Sequence, residues 1–106
     1  MHYIRRMIKM SLKIEKKNAE TLALEGRLDT LTAPELEAEI SAMFPTVQTL
    51  TLDMEKLDYI SSAGLRVILK TQKALEKKAG LKLTHVSNEV KEVFDITGFS
   101  DFLTIK

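Results

Sequence analysis

The sequence predicts a single α/β domain with a mixed sheet and the element order β-β-α-β-α-β-α-β. Segments that alternate apolar and polar residues, as half-exposed strands do, are separated by segments with the apolar spacing of amphipathic helices. Strand–helix–strand connections of these lengths also favour parallel, right-handed crossovers. The 106 residues suffice for one hydrophobic core but not for two domains. We expect the domain to span residues 11–106, with residues 1–10 as an N-terminal tail.

The first two strands are predicted to form a hairpin. Residues 11–17 and 19–26 both alternate apolar with polar or charged side chains. A turn around Lys17 and Asn18 separates them. Three methionines precede the first predicted strand, so the sequence is compatible with a translation start at any of them.

The first helix is predicted from a capping pattern. Thr32 followed three residues later by Glu35 is the arrangement of a capping box, and Pro34 has the backbone angle that a first helical turn requires. We therefore expect Thr32 to be the N-cap and Pro45 to end the helix. Three apolar residues share its inner face: Leu36, Ile40 and Met43.

A third strand and a second helix follow. Residues 47–54 place apolar and polar side chains on opposite sides, which predicts a sheet covered on one face. We expect Asp53 and Asp58 to bracket the turn after this strand. Residues 62–79 have helical apolar spacing, with Gly80 in the left-handed position that ends a helix. The solvent-facing side of this helix carries Arg66, Lys70, Lys73 and Lys77.

The last third of the chain predicts a strand, a short helix and a final strand. Residues 81–86 have strand character, and Gly98 ends the helix before a strand at 101–106. The short helix is marked by Val90, Val93 and Phe94.

Composition excludes several classes of function. The chain has no cysteine, which excludes a disulfide scaffold, a thiolate zinc site and cysteine catalysis. Its formal charge of +1 is too small to indicate a surface that binds nucleic acid. No apolar run approaches the roughly 18 residues of a membrane span, and the N-terminal stretch lacks the apolar region of a secretory signal. We therefore expect a cytoplasmic protein with no nucleic-acid partner, no membrane partner and no cofactor.

The segment YISSAGL, residues 59–65, joins a predicted strand to a predicted helix and carries two adjacent serines. Three roles compete for them. A serine at a helix start caps a free backbone N–H group, which is worth about 1 kcal/mol. A serine at a strand–helix turn also resembles a hydrolase nucleophile. Finally, a phosphate on Ser61 or Ser62 would meet the N–H groups and positive dipole of the helix N-terminus.

The nucleophile role has the weakest support. The segment lacks the first glycine of the G-x-S-x-G elbow. A nucleophilic serine also needs a base, and the only histidines are His2 and His85. The phosphorylation role needs neither, because the serine would then be the substrate of another protein.

Three segments of the chain resemble STAS domains, and within them the bacterial anti-sigma factor antagonists. They are EGRLDTLTAPEL (25–36), LTLDMEKLDYISSAGLRVIL (50–69) and LKLTHVSNEVKEVFDITGF (81–99). The middle segment is the most specific, because the family usually has D-S-S/T/A-G-L there. The alignment on Gly64 and Leu65 places the family's phosphorylated serine at Ser62. It also places Ser61 where the family has an aspartate, and Arg66 where a glycine is frequent.

The resemblance implies a protein–protein switch that is not an enzyme. Such a protein binds an anti-sigma factor that is also a serine kinase, and phosphorylation of the motif serine, Ser62 with Ser61 as the alternative, ends the binding. Asp29 would face this site, although a carboxylate there also suits a turn that accepts backbone N–H bonds. The expected partner-binding residues are Asp29, Thr30, Asp58, Tyr59, Ser61, Ser62, Ala63, Gly64 and Arg66.

The serine at position 61 leaves a second function open. The domain would then be a STAS scaffold or a nucleotide-sensing module without a phosphorylation cycle. Weak homodimerisation is compatible with the sequence, which does not fix the oligomeric state.

Overall fold

The computed structural model describes residues 12–105; the expected tail, residues 1–10, lies outside this range. Within it, the predicted order of strands and helices is confirmed. One sheet contains five strands in the order of the chain, and the first pair is antiparallel whereas the others are parallel. The strands are β1 (Leu12–Asn18), β2 (Thr21–Leu28), β3 (Thr49–Ile60), β4 (Gly80–Thr84) and β5 (Thr104–Ile105). The helices are α1 (Ala33–Met43), α2 (Ser62–Leu75) and α3 (Asn88–Thr97), and a 3₁₀ turn covers Phe99–Phe102.

The hydrophobic core lies on one face of the sheet. Leu50, Leu52 and Met54 of β3 are fully buried, and the polar residues between them remain partly exposed, as the alternation predicts. The three helices contribute buried side chains to the same core. The opposite face of β1, β2 and β3 is open and carries charges of both signs: Lys13, Glu15, Lys17, Glu25, Asp53 and Glu55.

Strand β3 is longer than predicted, and the expected turn bracketed by Asp53 and Asp58 is wrong. Both aspartates lie inside the strand. The pairing of β2 with β3 shifts register twice, between Ala23 and Glu25 and again at Arg27. Each shift inserts one extra residue into β3, so its buried residues beyond Met54 recur every third position. The simple alternation that marks a strand is thereby lost.

The ends of several elements also differ from prediction. Helix α2 ends at Leu75, and Gly80 begins β4 with φ of +95° instead of closing the helix. The β1–β2 turn lies two residues later than expected, at Ala19 and Glu20, because β1 continues to Asn18. Strand β4 ends at Thr84, since His85 adopts a left-handed φ of +54°. Gly98 ends α3 in the left-handed conformation, as predicted.

Candidate functional site

The candidate site lies where β2 and β3 end. These strands are parallel neighbours, so their carboxyl ends meet at one edge of the sheet. Leu28 pairs with Ile60, and the Ser61 amide donates to the Leu28 carbonyl at 2.9 Å. The loop that begins at Asp29 and the start of α2 are therefore adjacent. The fold brings together two segments that are more than thirty residues apart in the sequence.

The loop after β2 is fixed by a reciprocal pair of hydrogen bonds. The Asp29 carboxylate accepts from the amides of Leu31 and Thr32 at 3.0 and 3.1 Å. In return, the Thr32 hydroxyl accepts from the Asp29 amide at 2.8 Å and donates to the Arg27 carbonyl at 2.7 Å. This is the geometry of a capping box, one turn earlier than the sequence pattern suggests.

The predicted capping box between Thr32 and Glu35 is therefore wrong. Thr32 precedes α1, but its side chain makes no cap hydrogen bond to that helix. Its hydroxyl is buried and is already occupied by Asp29 and Arg27. The hydroxyl is thus oriented toward the earlier turn and makes no bond to the amides of α1.

The Asp29 carboxyl is held in its charged form. Partial burial opposes ionisation, but the hydrogen bonds from Thr32 and Leu31 and the charge of Arg27 together lower its pKa below the ordinary value of 3.8. The Arg27 Nε atom lies 3.6 Å from Asp29 Oδ2. The site thus presents a fixed negative charge at neutral pH.

Arg27 is a residue of the site that sequence reasoning missed. Its guanidinium carbon lies 4.2 Å from the centre of the Tyr59 ring, in a cation–π contact. The two residues are register partners on β2 and β3. The position of Arg27 two residues before Asp29 was the available signal, but the contact with Tyr59 depends on the two register shifts. Tyr59 remains 41% exposed, and Asp58 beside it is exposed.

The two serines have different environments. Ser61 is the N-cap of α2, and its hydroxyl accepts from the Gly64 amide at 3.3 Å. Ser62 is the first residue of the helix and is exposed. Within residues 12–105, the Ser62 hydroxyl makes no hydrogen bond. The capping role therefore falls to Ser61, and the Ser62 hydroxyl lies exposed at the helix N-terminus.

Gly64 lets α2 approach the strands closely. A Cβ atom at this position would lie 2.6 Å from Leu28 Cγ and 3.0 Å from Ile60 Cγ1. Such contacts are closer than side chains tolerate, so the helix start sits against the strand ends only because this residue has no side chain. Around it, Ala63 is partly exposed, whereas Thr30 and Arg66 are exposed. Leu31, another residue missed from the sequence, is 86% exposed.

The described residues place no histidine beside either serine. His85 Nδ1 lies 3.0 Å from Asp53 Oδ1, and Thr84 is the register partner of Asp53. Ser61 follows Asp53 by eight residues, which corresponds to roughly 25 Å along a strand. His85 is therefore too far from Ser61 or Ser62 to act as a base.

Asp53, Glu55 and His85 form a separate cluster on the open face of the sheet. Their potential ligand atoms lie within 4.8 Å of one another, close enough to hold a metal ion. Partial burial opposes ionisation of Asp53, but hydrogen bonds from Glu55 and His85 lower its pKa, as do the charges of His85 and Lys17. The sequence signal for this cluster was the spacing of two between the carboxylates. The cluster does not adjoin the two serines.

Comparison with known proteins places this arrangement in a family. The STAS domain model matches residues 11–106. The putative anti-sigma factor antagonist BtrV of Bordetella bronchiseptica is 41% identical over 93 residues, which cover 85% of this chain and 80% of that protein. The chain therefore belongs to the STAS domain family.

Solved structures of related proteins indicate which kind of STAS protein the chain resembles. The unphosphorylated form of the anti-sigma factor antagonist SpoIIAA superposes with a TM-score of 0.71 at 27% identity, covering 90% of this chain and 87% of that one. The phosphorylated form of SpoIIAA, described as a Bacillus cell fate determinant, gives 0.65 at 25% identity and covers 90% of each chain. The chain is thus similar to bacterial anti-sigma factor antagonists. In its described part, no helix is long and apolar enough to cross a membrane.

Proposed function

We propose that the chain is an anti-sigma factor antagonist that binds an anti-sigma factor with serine kinase activity and is released when Ser62 is phosphorylated. The observation that carries this proposal is that the two serines have different structural roles. Ser61 caps α2, whereas Ser62 is exposed and its hydroxyl bonds to none of the residues 12–105. A kinase can modify Ser62 without removing a hydrogen bond that the fold needs.

The capping role of Ser61 also explains how the helix start can form although this chain lacks the family's aspartate at this position. The family has an aspartate where this chain has Ser61, and serine and aspartate are about equally good N-caps. The helix start therefore keeps its geometry without the carboxylate. This favours the phosphorylation cycle over a STAS scaffold or nucleotide-sensing module.

Phosphorylation would change the charge of the site more than its shape. A phosphate adds about −1.5 to −2 charges at neutral pH. At the first residue of α2 it meets the free N–H groups and the positive end of the helix dipole, so the domain tolerates it. A partner surface that fits the unmodified site must then face a dianion near the fixed charge of Asp29. We infer that the partner dissociates for this electrostatic reason.

The docking surface in this proposal combines the strand ends with the start of α2. It contains the residues Asp29, Thr30, Asp58, Tyr59, Ser61, Ser62, Ala63, Gly64 and Arg66. The protein acts in the cytoplasm as a substrate and binding partner, not as a catalyst. It needs no cofactor, nucleic acid or membrane for this role.

Two substitutions test the switch. The anti-sigma factor encoded in the same genome is purified and titrated with wild type, Ser62→Ala and Ser62→Asp by isothermal calorimetry. We expect Ser62→Ala to bind like wild type and Ser62→Asp to bind at least about tenfold more weakly, a difference of ~1.4 kcal/mol. Ser41→Asp is the matched control, because it adds the same charge at an exposed serine of α1 outside the docking surface, and it should bind like wild type. If Ser62→Asp also binds like wild type, the phosphorylation switch is wrong and the scaffold function is favoured.

A further inference from the structure

The solvent-facing side of α2 carries a basic stripe, which consists of Arg66, Lys70 and Lys73 together with Lys77 in the turn that follows the helix. All four residues are exposed. Their spacing of four, three and four residues places them along one side of a helical segment, over roughly 16 Å. The overall charge of +1 conceals this local concentration of positive charge.

Little negative charge balances the stripe. Between residues 62 and 79 the only carboxylate is Glu76. From the neighbouring helix α1, Glu37 forms an ion pair with Lys70, but both side chains are well exposed, so the pair is worth little. Within residues 12–105, Arg66, Lys73 and Lys77 have no ion pair. The nearby Lys78 is not part of the stripe, because its ammonium group donates to the carbonyls of Phe44 and Val47.

The stripe borders a groove between α1 and α2. The apolar part of the groove is formed by Ala33, Pro34, Ala63 and Val67. Arg66 and Lys70 line the same groove and belong to the stripe. A partner segment lying there would place apolar side chains in the groove and its charged side chains against the cations. The open face of the sheet differs, since its lysines alternate with acidic residues.

We propose that the basic stripe binds an acidic segment of the anti-sigma factor, an inference that rests on the proposed function. Charge complementarity selects this occupant, because cations that lack acidic neighbours attract carboxylates across an interface. The stripe is also continuous with the switch, since Arg66 follows Ser62 by four residues and the two lie on the same side of α2. The apolar groove and the carboxylate of Glu37 favour a protein segment over a nucleic acid or a lipid surface, both of which present closely spaced phosphates.

The stripe gives the phosphate on Ser62 a specific effect. A phosphate one helical turn from Arg66 faces the same guanidinium that the partner's carboxylate needs. The partner then loses a counter-charge and meets two new negative charges. Release becomes a competition between two anions for the first cation of the stripe, so it is sensitive to ionic strength.

Charge reversal at the far end of the stripe tests the inference. Lys73→Glu/Lys77→Glu is compared with Lys13→Glu/Lys91→Glu, which makes the same change of net charge on the open sheet face and on α3. Association of each protein with the purified anti-sigma factor is followed by biolayer interferometry at low and high salt. We expect the stripe variant to associate at least about tenfold more slowly than wild type at low salt, and the difference to shrink at high salt. The control pair should stay within about twofold of wild type. Circular dichroism and urea unfolding verify that both variants are folded.

Other results of this experiment would contradict the stripe inference, the proposed function or the assigned occupant. If the stripe variant associates like the control pair, the far end of the stripe at Lys73 and Lys77 does not contact the partner and the inference fails, whereas the function proposed for Ser62 stands. If wild type does not bind the anti-sigma factor, the proposed function fails and the occupant assigned to the stripe fails with it. Duplex DNA and phosphatidylserine vesicles are tested in parallel at physiological salt. Binding to either that is stronger than to the anti-sigma factor, and lost in the stripe variant, would show that the occupant is a phosphate surface.

Discussion

The substitution Gly64→Ala probes the close approach of α2 to the strand ends. The added methyl group would lie 2.6 Å from Leu28 Cγ, and 3.0 Å from both Leu28 Cδ2 and Ile60 Cγ1. Leu28 is fully buried, so its branched carbon cannot move into solvent. Overpacking of this kind costs ~1–3 kcal/mol, whereas alanine gains up to about 1 kcal/mol over glycine in a helix. We therefore expect a net loss of ~1–2 kcal/mol in the free energy of unfolding.

Urea unfolding followed by circular dichroism measures this loss. A loss of this size lowers the midpoint by ~0.5–1 M for a typical urea dependence of about 2 kcal/mol per M. A double-mutant cycle with Leu28→Ala identifies the cause, because this variant removes two of the three contacting atoms. In the Leu28→Ala background, Gly64→Ala should be neutral or slightly stabilising. A loss of equal size in both backgrounds would refute steric contact with Leu28 as the reason for the glycine.

Two further predictions concern the cap and the charged groups. Ser61→Ala should lower the free energy of unfolding by about 1 kcal/mol, because Ser61 caps α2. Ser62→Ala should change it by less than ~0.5 kcal/mol. Equal losses in urea unfolding would contradict the assignment of the capping role to Ser61. Asp29 and Asp53 both have pKa values below the ordinary 3.8, so they stabilise the fold at neutral pH, and this contribution is lost as pH falls from about 4 through their folded pKa values. Urea unfolding between pH 6 and 2.5 should show this decline, and Asp29→Asn should make it shallower; an unchanged slope in the variant would contradict the role of Asp29.

The elements of the fold were predictable where side-chain periodicity is regular. The alternation in the first half of β3 predicted correctly which of its residues are buried. Its second half was not predictable, because two register shifts against β2 move the buried residues to a spacing of three. Such shifts arise from strand pairing, and they leave no regular pattern in the sequence of either strand.

The candidate site was predicted in part. The proximity of Asp29 to the two serines follows from parallel strands that end at the same edge of the sheet, and the resemblance indicated both segments. The contact between Arg27 and Tyr59 was missed, since it depends on the shifted register. The capping box was placed one turn late because two overlapping patterns share Thr32, and only the packed structure shows that Asp29 takes its hydroxyl.

The most direct test of the account is the site and consequence of phosphorylation. The purified chain is incubated with ATP and the anti-sigma factor kinase encoded in the same genome. Intact-mass analysis and peptide mapping then locate the phosphate, and the modified protein is titrated against the kinase. We predict one phosphate on Ser62 and a loss of binding to the kinase. A chain that stays unmodified while it binds normally, or one that carries the phosphate on Ser62 and still binds like wild type, would contradict the central claim.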